Sequence, residues 1–216
     1  MPKKPDELLK LVEPWGIQEE TKKALKKYLK SGESAIDIDS WIRDRRTAEQ
    51  FAEQMKAYWA VEDAFAVWLE KNLKRKYPEV KVTVNGSDKN RLIVQGQAPR
   101  GKVTGNPDYF VDFQDGNPKI PVEFQFGTSI LPGYDVKKNK VNKAEKSGGV
   151  ILFAFLPQMK FTLLSASFIK EHGADYINPR LGGKHTWNIE VGKLIMRNKD
   201  YQIKMEDLKD GFRQKA

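Results

Sequence analysis

Three side chains near the middle of the chain have the types and spacing to hold a hard divalent cation beside a phosphate ester. Asp108 follows Pro107, and after an interval of fourteen residues comes Glu123-Phe124-Gln125. Residues 109–113 and 120–126 read as strands, and Asp115-Gly116-Asn117-Pro118 between them is a turn sequence. If the strands pair as a hairpin, Asp108 and Glu123 come within bridging reach of one ion. The backbone carbonyl of Phe124 can add an oxygen. Mg²⁺ is usually held by one or two carboxylates plus waters and substrate phosphate oxygens. Held there, the ion lowers the pKa of a bound water, orients it, and stabilises the charge developing on a phosphorane.

Each residue also has a plainer reading. Asp108 after a proline is a natural turn former. Val122, Phe124 and Phe126 take the alternating apolar positions, which leaves Glu123 and Gln125 together on the other face. That face is either solvated or the wall of a cleft. Asp112 and Asp115 read as strand-edge and turn residues, with Asp112 a fallback ligand.

The elements that must position this group can be read around it. Residues 48–77 have the strongest helical period, with Phe51, Met55, Tyr58, Phe65 and Leu69 at intervals of three, four and seven. Glu62 falls in the same series, and a carboxylate on a core-facing stripe is costly unless paired or bound to metal. Lys71, Lys74, Arg75 and Lys76 suit the negative end of the helix dipole, and Pro78 stops the helix. Residues 80–84 and 91–94 are strand-like around Asn85-Gly86.

After the central motif, Pro132-Gly133 opens a lysine-rich helix over residues 134–146, capped by Ser147-Gly148-Gly149. Lys137, Lys138, Lys140 and Lys143 lie on it, as a solvated face or as phosphate contacts. Residues 150–156 are continuously apolar, as a buried strand is. Residues 160–164 form another strand, and Ser165 begins a short helix ending at Gly173. The helix before residue 150 permits a parallel crossover with the Glu123 strand. The tail holds a glycine-rich loop at residues 181–185, a strand at 187–191 and a polar helix.

The expectation is an α/β fold: a mixed central sheet flanked by helices, with a helical N-terminal subdomain. The domain boundary is expected between residues 46 and 47, so that residues 1–46 are the subdomain and residues 47–216 the main domain. The helices of the subdomain can pack on the core, dimerise, or lie on a partner.

Pro107-Asp108 with Glu123-Phe124-Gln125, set in this order of elements, resembles the PD-(D/E)XK nuclease superfamily. That superfamily includes most type II restriction endonucleases and many repair and recombination nucleases. The resemblance covers roughly residues 48–173 and implies a restriction-endonuclease-like core. It implies Asp108 and Glu123 as metal ligands for Mg²⁺, with Mn²⁺ as a substitute, and Glu62 as an assisting acid. The chain departs from the pattern at Gln125, where the family normally has lysine. Glutamine can orient a water but brings no positive charge. Either the metal alone activates water, or a lysine among Lys137, Lys138 and Lys140 reaches the site, or the nuclease has decayed into a DNA-binding domain.

Composition agrees with a nucleic-acid partner. The 216 residues carry a formal charge of +9 with a pI near 9.5, which favours a polyanion. There is no cysteine, which excludes disulfides and thiolate sites, and His172 and His185 are too few for a multi-histidine zinc centre. No apolar run is long enough to span a bilayer, no secretory h-region is present, and a cytoplasmic home is expected. The expected activity is Mg²⁺-dependent hydrolysis of double-stranded DNA, of the site-specific type II restriction kind, by a homodimer. The alternatives are a structure-selective repair or recombination nuclease, such as a junction resolvase, and a catalytically inactive DNA-binding module.

Overall fold

The computed structural model describes residues 4–29, 48–85, 107–178 and 184–212. They form two compact units: the described residues through Trp68, and Leu69–Val84 together with the residues from Pro107 onward. The boundary expected at residue 46 lies outside the described residues, as does the strand expected at residues 91–94.

The first unit is helical. Helix α1 (Pro5–Val12) starts with proline, whose missing N–H is no loss in a first turn, and with Asp6 and Glu7 at the positive end of the dipole. A 3₁₀ turn, Glu13–Trp15, is closed by Gly16 at φ +71°, a left-handed conformation that glycine adopts freely. Helix α2 (Gln18–Leu29) follows, and α3 (Ala48–Lys74) runs from this unit into the next. Trp15 meets Phe65 and Trp68 edge-on, with ring centroids 4.9 and 5.4 Å apart. Tyr28 packs against Trp59 and donates its hydroxyl to Asp63. The N-terminal helices therefore pack on α3, a choice their sequence left open. The buried seam of α3 in this unit includes Ala57, Val61, Ala64, Phe65 and Trp68. Glu62 is half-buried beside that seam rather than at its centre.

In the second unit, β1 (Lys81–Val84), β2 (Tyr109–Asp112) and β3 (Ile120–Gly127) form an antiparallel run. Strand β4 (Gly133–Lys137) leads directly into α4 (Lys138–Ser147), and β5 (Val150–Phe155) then returns parallel to β3. Next come β6 (Lys160–Ser165), α5 (Ala166–His172), β7 (Ala174–Asn178), β8 (Lys184–Glu190), the short β9 (Arg197–Asn198) and α6 (Met205–Asp210). The central sheet has the order β1-β2-β3-β5-β6-β9 and is mixed. A second, antiparallel sheet has the order β4-β8-β7. The fold is thus α/β with a mixed central sheet flanked by helices. Among the described residues no helix is long and apolar enough to cross a membrane.

All six residues of β5 are buried, as its unbroken apolar run requires. Ile151, Phe153 and Phe155 on one face of β5 share a core with Val141 and Ala144 of α4, Tyr134 and Val136 of β4, and Ile189 of β8. Helix α4 is therefore anchored on its apolar side. Its end is fixed too: Gly148 caps it at φ +66°, and Gly149 passes so near β3 that a Cβ would lie 2.3 Å from the Pro121 carbonyl oxygen.

The sequence reading is corrected at residues 134–137, expected as the first turn of a helix. They are β4, with Tyr134 and Val136 buried and Asp135 and Lys137 on the opposite face. Lysine-rich composition suits either state, and the deciding partner, β8, lies some fifty residues away, with Asp135 opposite Asn188. Strand β7, for which no element was expected, is held by the same distant partner.

Candidate functional site

The site is built where β2, β3 and α4 converge. Glu123 on β3 stands opposite Ile151 on β5, which puts it on the sheet face covered by α4. It is 1% exposed, so the solvent-facing reading of this residue does not hold. Asp108 directly precedes Tyr109, which pairs with Val122, so the two acids fall side by side on that face. The Phe124 amide donates to Asp108 Oδ2 at 2.8 Å, tying this carboxylate to the β3 backbone.

From α4, Lys140 reaches between the acids. Its ammonium donates to Asp108 Oδ2 at 2.5 Å, to Glu123 Oε2 at 3.0 Å and to the Phe124 carbonyl at 2.8 Å. An ammonium has three donors, and these contacts use all of them. Lys143, three residues on and so on the same helix face, lies 4.0 Å from Glu123 Oε1. That oxygen is buried and accepts no hydrogen bond among the described residues.

Burial pushes the Glu123 carboxyl above the ordinary glutamate range. Lys140 and Lys143 pull it down and the neighbouring charge of Asp108 pushes it up, with burial the largest influence.

These oxygens suit a divalent cation. Two carboxylates and a backbone carbonyl form an all-oxygen donor set of the kind hard cations prefer, and a buried Glu123 oxygen remains unused. Among the described residues no group of three or more acidic or histidine side chains gathers to hold a metal. The third oxygen that meets the Lys140 ammonium is the Phe124 backbone carbonyl.

Gln125 faces the same way as Glu123 but reaches towards β4, where its amide donates to the Asp135 carbonyl oxygen at 2.5 Å. Its Oε1 is buried and accepts no hydrogen bond among the described residues. That oxygen can serve the water-orienting role expected of the residue. Asp135 is a junction that sequence reading missed. Its carboxylate accepts from Tyr176 Oη at 2.9 Å, from Asn178 Nδ2 at 2.5 Å and from Asn188 Nδ2 at 2.8 Å. One carboxylate thus links all three strands of the small sheet, and its backbone holds Gln125. No local pattern marks it, because its partners come from strands far along the chain.

The other expected residues fall as follows. Lys137 ends β4 at the N-cap of α4. Lys138 is paired with Asp175 and lies over the Trp187 ring, 5.0 Å from its centroid. Of the α4 lysines, Lys140 and Lys143 are the two brought to Glu123. Glu62 belongs to the first unit, and Asp108 and Glu123 to the second. Asp112 accepts from the Gln114 amide at 2.9 Å and Asp115 from the Asn117 amide at 3.1 Å, so both serve the turn. No family model matches the chain, and no curated protein or solved structure matches it.

Proposed function

We propose that this protein is a Mg²⁺-dependent endodeoxyribonuclease of the PD-(D/E)XK kind, cutting double-stranded DNA site-specifically as type II restriction enzymes do. The observation that carries this reading is the convergence of Asp108 Oδ2, Glu123 Oε2 and the Phe124 carbonyl on one positive charge, at 2.5 to 3.0 Å. When bound, the cation supplies an activated water and offsets negative charge at the phosphoryl group. Asp108 and Glu123 hold and neutralise it, and the fixed β2–β3 ladder keeps the two acids in register. Lys140 brings the positive charge that Gln125 does not, now from a helix instead of from the motif strand. Lys143 strengthens the positive field beside Glu123, Lys137 and Lys138 are further candidate phosphate contacts at the start of α4, and the charge of +9 favours a phosphate backbone. Gln125 braces β3 against β4, with its free oxygen as a water acceptor. A homodimer in the cytoplasm is the proposed working form, with Mn²⁺ able to replace Mg²⁺.

One observation favours a second reading, a DNA-binding module without catalysis. The Lys140 ammonium already sits against three of the oxygens that a cation needs, and the Gln125 amide nitrogen donates to the Asp135 backbone. A structure-selective nuclease keeps the same chemistry and changes only the substrate. The deciding test is cleavage of a long unmethylated duplex with Mg²⁺, with and without EDTA, beside Glu123→Ala. Discrete fragments lost with EDTA and with the variant support the leading reading. Smearing, or cleavage of branched DNA alone, supports the structure-selective one. Salt-sensitive binding without cleavage leaves the binding module.

A further inference from the structure

We infer that Lys140 is a built-in stand-in for the metal: it holds the cation seat in the metal-free protein and must leave that seat for a divalent ion to enter. The inference rests on reading this group of oxygens as a divalent-cation site, and it adds how the site is loaded.

Two features of the site carry it. The first is exclusion. The ammonium contacts Asp108 Oδ2, Glu123 Oε2 and the Phe124 carbonyl at 2.5 to 3.0 Å, so an ion bonded to those same oxygens competes with it for one position. The second is charge. Asp108 and Glu123 are balanced by Lys140 and Lys143. A divalent ion added to that set would leave two uncompensated positive charges beside a glutamate only 1% exposed. Withdrawing Lys140 ends the competition for position and halves the excess of charge.

The fold provides for the withdrawal. Lys140 is in the first turn of α4, its side chain is 17% exposed, and its flexible stem can swing without moving the helix. Lys143 stays near the otherwise unpartnered Glu123 Oε1. The lysine displaced by the ion is then available to a phosphate drawn to the same ion. Loading the metal and presenting the lysine become one event.

The test measures Mn²⁺ binding by calorimetry on the full chain without DNA, comparing wild type, Lys140→Met and Lys143→Met. Removing the competing charge should tighten Mn²⁺ binding on the order of tenfold or more in Lys140→Met, and by less in Lys143→Met. In parallel, the wild-type protein is treated with an amine-acetylating reagent and Lys140 labelling is read by mass spectrometry. Labelling should rise severalfold when Mn²⁺ is added. If Lys140→Met does not fold, the labelling alone decides. Mn²⁺ binding in Lys140→Met equal to or weaker than wild type, or labelling unmoved by Mn²⁺, overturns the inference. Exchange without cleavage of any DNA keeps the inference and sinks the nuclease reading. Cleavage without exchange does the reverse.

Discussion

Lys140 on α4 and Glu123 on β3 form an ion pair, Nζ to Oε2 at 3.0 Å, in which Lys140 is the strongest charge partner of the buried Glu123 while also pairing with Asp108 at 2.5 Å. Their elements are joined by the β4 strand and by the Tyr134, Val141 and Ile151 core, so the pair is held from behind by packing. Removing one member of a buried pair leaves an uncompensated charge, a loss of about 3 to 5 kcal/mol. In metal-free protein, Lys140→Met should therefore fall towards that range in urea denaturation. The double variant Lys140→Met with Glu123→Gln should lose clearly less than the two single losses combined. Additive losses would show that the two residues do not act as a pair.

The raised pKa of Glu123 sets a pH dependence. Because the folded protein binds this proton more tightly than the unfolded chain, the group's stabilising contribution is fully present below the ordinary glutamate pKa, roughly 4.3. It is lost as pH rises through the higher folded value. Thermal melts of metal-free wild type should thus gain on Glu123→Gln as pH falls through that window. Under the proposed function metal binding should run the other way, since the ion needs the carboxylate. Mn²⁺ affinity should fall as pH drops through the same window in wild type, and a flat profile there would contradict the burial argument.

Asp135 gathers donors from Tyr176, Asn178 and Asn188, and Asn178 is 4% exposed. Replacing the carboxylate by a methyl strands these groups, at about 1 to 3 kcal/mol for each donor that water cannot reach. Asp135→Ala should accordingly destabilise the protein by about 2 to 4 kcal/mol. Hydrogen exchange should quicken first along β7, the edge strand that depends on this junction. Asp135→Asn keeps an acceptor and should lose less.

What could be read from the sequence follows physical range. The central hairpin, the buried strand β5 and the parallel crossover were legible because alternation, turn residues and continuous apolar runs are local signals. Asp108 and Glu123 were legible for the same reason: a strand register fixes which side chains meet. Residues 134–137 were misread because a strand with lysines at its end looks like a lysine-rich helix until β8 is known. Asp135 was invisible because its partners come from strands far along the chain. Lys140 was one of three lysines left open, and only the point where α4 begins chooses among them: starting the helix at Lys138 turns Lys140 towards Glu123. The place of Glu62 within the apolar stripe was misread, since the α3 seam is centred on Val61 and Phe65, and a shift of one residue carries a helical side chain about 100° round.

The join between α4 and β5 offers the sharpest packing test. Gly149 is not in a left-handed conformation. Its constraint is space, with the Pro121 carbonyl oxygen 2.3 Å and the Pro121 ring carbon Cγ 3.0 Å from where a Cβ would stand. Pro121 lies on β3 two residues before Glu123, and backbone cannot yield as a flexible side chain does. Gly149→Ala should therefore force β3 and β5 apart at their start, with a loss of about 1 to 3 kcal/mol or more. The shift should also reach Glu123, so Mn²⁺ affinity should weaken together with stability. Gly192→Ala is the control, since a Cβ there meets nothing within 4 Å. A Gly149→Ala protein as stable as the Gly192→Ala control would show that β3 and β5 do not approach this closely, and would remove the fixed register on which the placement of Glu123 depends.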